Sequence, residues 1–123
     1  MAKILIVDDA AFMRKMLSDI FTAQGHEIVG EGESARDAVE KFKALRPDLM
    51  TLDVVMPQVG NIDTPEAIRQ IMRENSKAKI VMVSSMGQQA IIAEMLQAGA
   101  SDFITKPFEQ STVIKTINRI LKS

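Results

Sequence analysis

The chain alternates short, wholly apolar runs with longer segments in which apolar residues return every three or four positions. Ile4 to Val7 is mostly β-branched and runs straight into Asp8-Asp9. Such runs fit strands buried on both faces. Glu27 to Glu31, Leu49 to Leu52, Ile80 to Val83 and Phe103 to Thr105 read as four more, the first of them weaker around Ile28-Val29. Between them lie helical stripes: Phe12, Met13, Met16, Leu17, Ile20 and Phe21, stopped near Gly25; then Ala35, Ala38, Val39, Phe42 and Leu45, with Pro47 after the end. Ala67, Ile68, Ile71 and Met72 give a third helix, Ile91, Ile92, Met95 and Leu96 a fourth before Gly99, and Val113, Ile114, Ile117, Ile120 and Leu121 a fifth. Ser34 with Asp37 three residues on resembles a capping box, and Thr64-Pro65-Glu66 reads as an N-cap, a first-turn proline and an early acid.

Strict alternation of strand and helix predicts an α/β fold, a doubly wound (βα)5 unit with a five-stranded parallel sheet and helices on both faces. Ligands of such sheets gather beyond the carboxyl ends of the strands. Asp8 and Asp9 follow the first strand, Asp53 the third, Ser84 and Ser85 the fourth, Lys106 and Pro107 the fifth. Gathered at one rim, they make an acidic pocket with one cation and a hydroxyl.

Magnitude gives that pocket a meaning. Two unit charges about 4 Å apart repel by roughly 4 kcal/mol at an effective dielectric near 20. Three carboxylates together would cost a large share of a domain's stability of about 5–15 kcal/mol. The cluster needs a proton, a counter-cation or a metal ion. Lys106 answers part of that need, and oxygen-only ligands without His or Cys favour Mg²⁺ for the rest. Carboxylate, Mg²⁺, hydroxyl and lysine suit phosphoryl transfer, with Asp53 as nucleophile and Ser84 and Lys106 orienting and neutralising the phosphoryl oxygens.

Composition narrows the setting. The 123 residues suit one domain, 1–123, and contain no Cys and no low-complexity segment or repeat. Net charge is −1 from 15 basic and 16 acidic residues, with no basic stripe for nucleic acid. No apolar run approaches the roughly 20 residues of a membrane span. MAKILIVDDA lacks the pattern of a signal peptide, so a soluble cytoplasmic protein is expected. His26 reads as a solvated turn residue, and most of the nine Met as core packing, with Met56 and Met86 nearer the rim.

Taken together, ILIVDDA at 4–10, LDVVMP at 52–57, VSSMG at 83–87 and DFITKPF at 102–108 resemble the receiver domain of two-component response regulators over essentially the whole chain. AAFMR, MGQQA and QAGASDF are similar to the single-domain chemotaxis regulators of the CheY type. The resemblance implies the flavodoxin-like strand order 2-1-3-4-5. It makes Asp53 the phosphoacceptor, Asp8 and Asp9 the acidic pair with Asp9 a direct Mg²⁺ ligand, and the backbone carbonyl of Val55 a further ligand. Ser84 becomes the switch hydroxyl, Lys106 the phosphate-binding lysine, Phe103 the aromatic switch residue, and Lys106–Pro107 a cis peptide. A sensor histidine kinase would donate to Asp53. The face of the fourth helix, fifth strand and fifth helix would then bind a target, the flagellar motor switch in chemotaxis, with a phosphatase resetting the signal. The expected state is a monomer that is not an enzyme but assists its own phosphorylation and dephosphorylation.

Rival readings are weighed on single positions. A phosphorelay intermediate, passing the group to a second histidine protein, would share this site. An Asp-nucleophile phosphatase of the haloacid-dehalogenase type needs an acid two residues after the nucleophile, where Val55 stands. A flavin cradle needs Gly, Ser or Thr where DDAAFMRK stands. Asp8-Asp9 as a bare helix cap and Phe103 as plain core are the bland alternatives. Departures from the family lie at QVGNIDTPEA, which makes the stretch from Gln58 to Pro65 about three residues longer than usual, at Ser85, and at apolar Val55.

Overall fold

A computed structural model of the chain describes residues 1–56 and 62–123. Among them, strands and helices alternate as β1 (Lys3–Val7), α1 (Ala11–Ala23), β2 (Glu27–Gly32), α2 (Ala35–Leu45), β3 (Leu49–Asp53), α3 (Thr64–Glu74), β4 (Ile80–Ser85), α4 (Gln89–Ala98), β5 (Asp102–Lys106) and α5 (Gln110–Lys122). The strands form one parallel sheet in the order β2-β1-β3-β4-β5. Part of the lengthened stretch from Gln58 to Pro65, with Pro57 and the Gly60-Asn61 pair, lies outside the described residues.

Side chains on a strand point alternately to opposite faces, and both faces here are covered. Leu5, Val7, Met50, Leu52, Ile80 and Met82 pack with α2, α3 and α4. Ile4, Ile6, Leu49, Val81, Val83 and Ile104 pack with α1 and α5. This double burial explains why the strands are continuous apolar runs.

Helix ends follow local chemistry. Ser34 Oγ accepts from the Asp37 amide at 3.1 Å, and the Asp37 carboxylate accepts from the Glu33 amide at 2.9 Å, which fastens the start of α2. Gly99 ends α4 at φ +127°, and a Cβ there would meet Met72 Cγ at 2.6 Å, so a glycine suits both the turn and the packing.

Several expectations shift. The N-cap of α3 is Asp63, not Thr64: its side chain accepts from the Glu66 amide at 2.9 Å, which leaves Thr64 and Pro65 as the first two helical residues. Asp53, Ser84, Ser85 and Lys106 sit within their strands rather than beyond them, because the ladder pairs Asp53 with Val83, Ser84 with Thr105 and Ser85 with Lys106. Backbone pairing continues where apolar character stops. Phe12 is 75% exposed, since the buried line of α1 is Leu17, Ile20 and Phe21 and Phe12 lies roughly 130° around the helix from it. His26 is half-buried, and its Nδ1 accepts from the Ala2 amide at 3.0 Å, so it is a bonded residue rather than a solvated one. Of the methionines, Met50, Met82 and Met95 are fully buried, the first two on strands.

Candidate functional site

The two-residue period of the strands assembles the site. Two positions beyond Ile4 and Ile6 comes Asp8; Leu49 and Thr51 lead to Asp53; Ile104 leads to Lys106. All three lines start on the face that packs against α1 and α5. The parallel register then brings their ends to one rim. Lys106 Nζ lies 3.5 Å from Asp53 Oδ1 and 3.6 Å from Asp8 Oδ2, bridging the two carboxylates as an ion pair. Asp8, Asp9 and Asp53 each bring one carboxylate oxygen within 4.8 Å of the others.

Burial sharpens the cost. Asp8 and Asp53 are buried, whereas Asp9 is exposed, so the cluster has a closed floor and an open side. Burial raises the Asp53 pKa to about 6; the neighbouring Asp8 and, more weakly, Asp9 push the same way, while Lys106 and an amide hydrogen bond from Val55 oppose them. One cation does not neutralise this rim. Asp8 Oδ1 accepts from the Ala10 amide at 2.9 Å, but Asp8 Oδ2 is buried without a hydrogen-bond partner. Buried carboxylate oxygens are ordinarily bonded. An oxygen with only the 3.6 Å ion pair to Lys106, beside two further carboxylates and with no His or Cys among them, fits a hard divalent cation.

Not every expected residue joins the cluster. Ser84 is fully buried, and its hydroxyl donates to the Ile104 carbonyl at 3.5 Å rather than to any of the three carboxylates. The Val55 side chain is exposed beside the site. Phe103 is 39% exposed and lines an apolar groove of about 450 Å³ between α4 and β5, together with Met86, Ile92 and Leu96. The Lys106–Pro107 peptide is cis.

Two polar residues go beyond the sequence reading. Gln88 Oε1 accepts from the Ser85 amide at 2.7 Å and steadies the turn after β4. Arg14 Nη1 donates to the Asp8 carbonyl at 2.6 Å. Its only signal was a charge set among the apolar positions of the first helix.

The sequence model of the response regulator receiver domain matches residues 4–118. The chain is 51% identical to the chemotaxis protein CheY of Thermotoga maritima over 98% of each chain, and 48% identical to that of Bacillus subtilis over 97% of each. Among solved structures it is similar to the response regulator domain of Thermotoga maritima CheB, with TM-score 0.85 and 35% identity over 98% of this chain and 96% of that one. A response regulator structure from Chloroflexus aurantiacus superposes with TM-score 0.89 at 25% identity, covering 99% of this chain and 98% of that one. Family model, near-full-length chemotaxis relatives and the 2-1-3-4-5 sheet agree: the chain belongs to the receiver domains of two-component response regulators.

Proposed function

We propose that this receiver domain takes a phosphoryl group from a sensor histidine kinase onto Asp53 and uses it to switch a binding face. The observation that carries the reading is a buried carboxylate at the end of the central strand, 3.5 Å from Lys106 and clustered with Asp8 and Asp9. An Asp53 oxygen attacks the phosphorus of the donor's phosphohistidine in line with the P–N bond. The P–O bond forms as the P–N bond breaks, and the imidazole nitrogen leaves with its electron pair and takes up a proton. Burial in β3 holds the nucleophile still, which favours in-line geometry. Lys106 already lies beside the Asp53 carboxylate, where it would neutralise the phosphoryl oxygens, and Ser84 turns from Ile104 to donate to one of them. Asp8, Asp9, Asp53 and the Val55 carbonyl would hold a divalent cation, Mg²⁺, which supplies further positive charge against the phosphoryl oxygens. Water later attacks the phosphorus as the P–O bond to Asp53 breaks, releasing inorganic phosphate and restoring the carboxylate; Val55, whose side chain is exposed, is the neighbouring residue whose size would tune that step.

The output face in this reading is α4, β5 and α5. The added charge, roughly −1.5 to −2 by analogy with other phosphorylated side chains, draws Ser84 and Lys106 inward. Phe103 at the adjoining groove changes its packing in turn. The chemotaxis relatives favour a flagellar motor switch protein as the target of a cytoplasmic regulator. No helix of the described residues is long and apolar enough to cross a membrane. The test is phosphotransfer from purified, labelled kinases of the same cell. Label is expected on the wild type and absent from Asp53→Asn; a fully labelled Asp53→Asn overturns the assignment. Onward transfer to another histidine protein would identify a phosphorelay intermediate instead.

A further inference from the structure

Arg14 lies on α1 with only 14% of its side chain exposed, and its guanidinium joins three parts of the fold. Nη1 donates to the backbone carbonyl of Asp8 at 2.6 Å, Nε donates to Glu31 Oε1 at 2.9 Å, and Nη2 lies 3.6 Å from the Glu33 carboxylate. Burying a guanidinium costs solvation, which these partners return only if the geometry holds. The carbonyl it grips belongs to the Asp8–Asp9 peptide. Asp8 is also tied through its amide, which donates to the Gly32 carbonyl at 3.0 Å, and through Oδ1, which accepts from the Ala10 amide at 2.9 Å. With amide, carbonyl and one carboxylate oxygen all fixed, the peptide plane that launches Asp9 has little freedom left.

We infer that Arg14 is a positioning residue for the cation site: by gripping the Asp8 carbonyl from α1 and β2 it presets the convergence of the Asp8 and Asp9 carboxylates beside Asp53. The inference rests on the reading of that cluster as a divalent-cation site. Without the brace the Asp8–Asp9 peptide turns more freely, and cation binding must order it. Groups that orient metal ligands are typically worth 10–100-fold in affinity. A lysine would keep the charge but lack the planar fork that serves carbonyl and carboxylate together. The role is therefore geometric, and charge alone does not restore it.

The experiment is a Mg²⁺ titration at constant ionic strength, read by thermal unfolding in circular dichroism, because the chain has no Trp or Tyr. The rise of Tm with Mg²⁺ gives the affinity separately from metal-free stability. Arg14→Lys and Arg14→Ala are expected to bind Mg²⁺ about tenfold or more weakly. Glu31→Gln, which keeps an acceptor for Nε, is expected to bind as the wild type does. If Arg14→Ala does not fold, Arg14→Lys and Glu31→Ala decide the matter, since Glu31 is exposed and its loss frees one arm of the brace. Wild-type affinity in Arg14→Lys, with or without a lower metal-free Tm, overturns the positioning role and leaves the cation site standing. A wild type with no saturable Mg²⁺ effect removes the cation site and the inference together.

Discussion

The two edges of the sheet treat polar groups in opposite ways. At the amino edge they finish their hydrogen bonds. Asp48 accepts from the Lys3 amide at 2.8 Å, His26 accepts from the Ala2 amide at 3.0 Å, and Lys79 Nζ donates to the carbonyls of Leu121 and Ser123 at 3.2 and 3.0 Å. At the carboxyl edge Asp8 Oδ2 has no hydrogen-bond partner, and the Asp53 pKa stands at about 6. Both edges end the same strands and use similar residue types. The difference is that the amino-edge groups find hydrogen-bond partners within the fold, even around a cavity of about 490 Å³, while the carboxyl edge keeps a cluster of carboxylates that one lysine does not balance. Under the proposed function, stability is given up where the chemistry would be done.

That contrast has a pH signature. The folded pKa of Asp53 is raised, so the folded state holds the proton more tightly than the unfolded chain does. The penalty for ionising Asp53 is absent below about pH 4 and complete above about pH 6, so metal-free stability falls as pH rises through that window. A shift from 3.8 to about 6 corresponds to at most about 3 kcal/mol, and solvent reaching the cluster from the exposed Asp9 side screens part of it. Asp53→Asn should therefore be more stable than the wild type at pH 7 by up to about 3 kcal/mol. The gain should vanish near pH 4 in urea unfolding followed by circular dichroism. An equal gain at both pH values would mean that charge at this edge is not what costs stability.

Lys106→Ala acts in the other direction. Removing the cation leaves Asp8 and Asp53 facing each other, and a loss of about 2 kcal/mol at pH 7 is expected, below the range for a fully buried pair because Lys106 is 23% exposed. The loss should shrink in acid. The variant should still accept some phosphoryl group but respond weakly in partner binding. Thr51 lies below Asp53 on the same face, with a buried hydroxyl that has no hydrogen-bond partner. Thr51→Val, nearly the same shape without that oxygen, should be neutral to stabilising by about 1 kcal/mol in the same urea assay.

A comparably small effect belongs to the amino edge. Burial and the nearby N-terminal amine lower the His26 pKa below 6.5. The neutral ring accepts the Ala2 hydrogen bond, so its contribution is present above about pH 6.5 and lost as pH falls through the folded value. His26→Ala should lose about 1 kcal/mol at pH 7.5 and little in acid. A larger change here than at Asp53 would reverse the contrast between the edges.

How much of this was legible in the sequence follows from what each pattern encodes. Apolar periodicity reports burial, so Ile4–Val7, Leu49–Leu52 and the helical stripes showed the alternating architecture. The residues after those runs showed the acidic rim. Periodicity does not report hydrogen bonding. It stopped each strand at its last apolar residue and left Asp53, Ser84 and Lys106 outside ladders that in fact hold them. It could not show that Ser84 is bonded to Ile104. Nor could it show that Arg14, a charge beside an apolar stripe, reaches back six residues to the Asp8 carbonyl. Phe12 matched the stripe in spacing and missed the buried line in angle.

The most direct test of the carboxyl edge as a phosphoryl acceptor uses acetyl phosphate with and without Mg²⁺, followed by peptide mapping. With Mg²⁺ the account predicts one acid-stable, base-labile phosphoryl group on the Asp53 peptide, lost in Asp53→Asn and strongly reduced without the metal. An unmodified Asp53 peptide, while a control receiver domain is labelled in parallel, would contradict it.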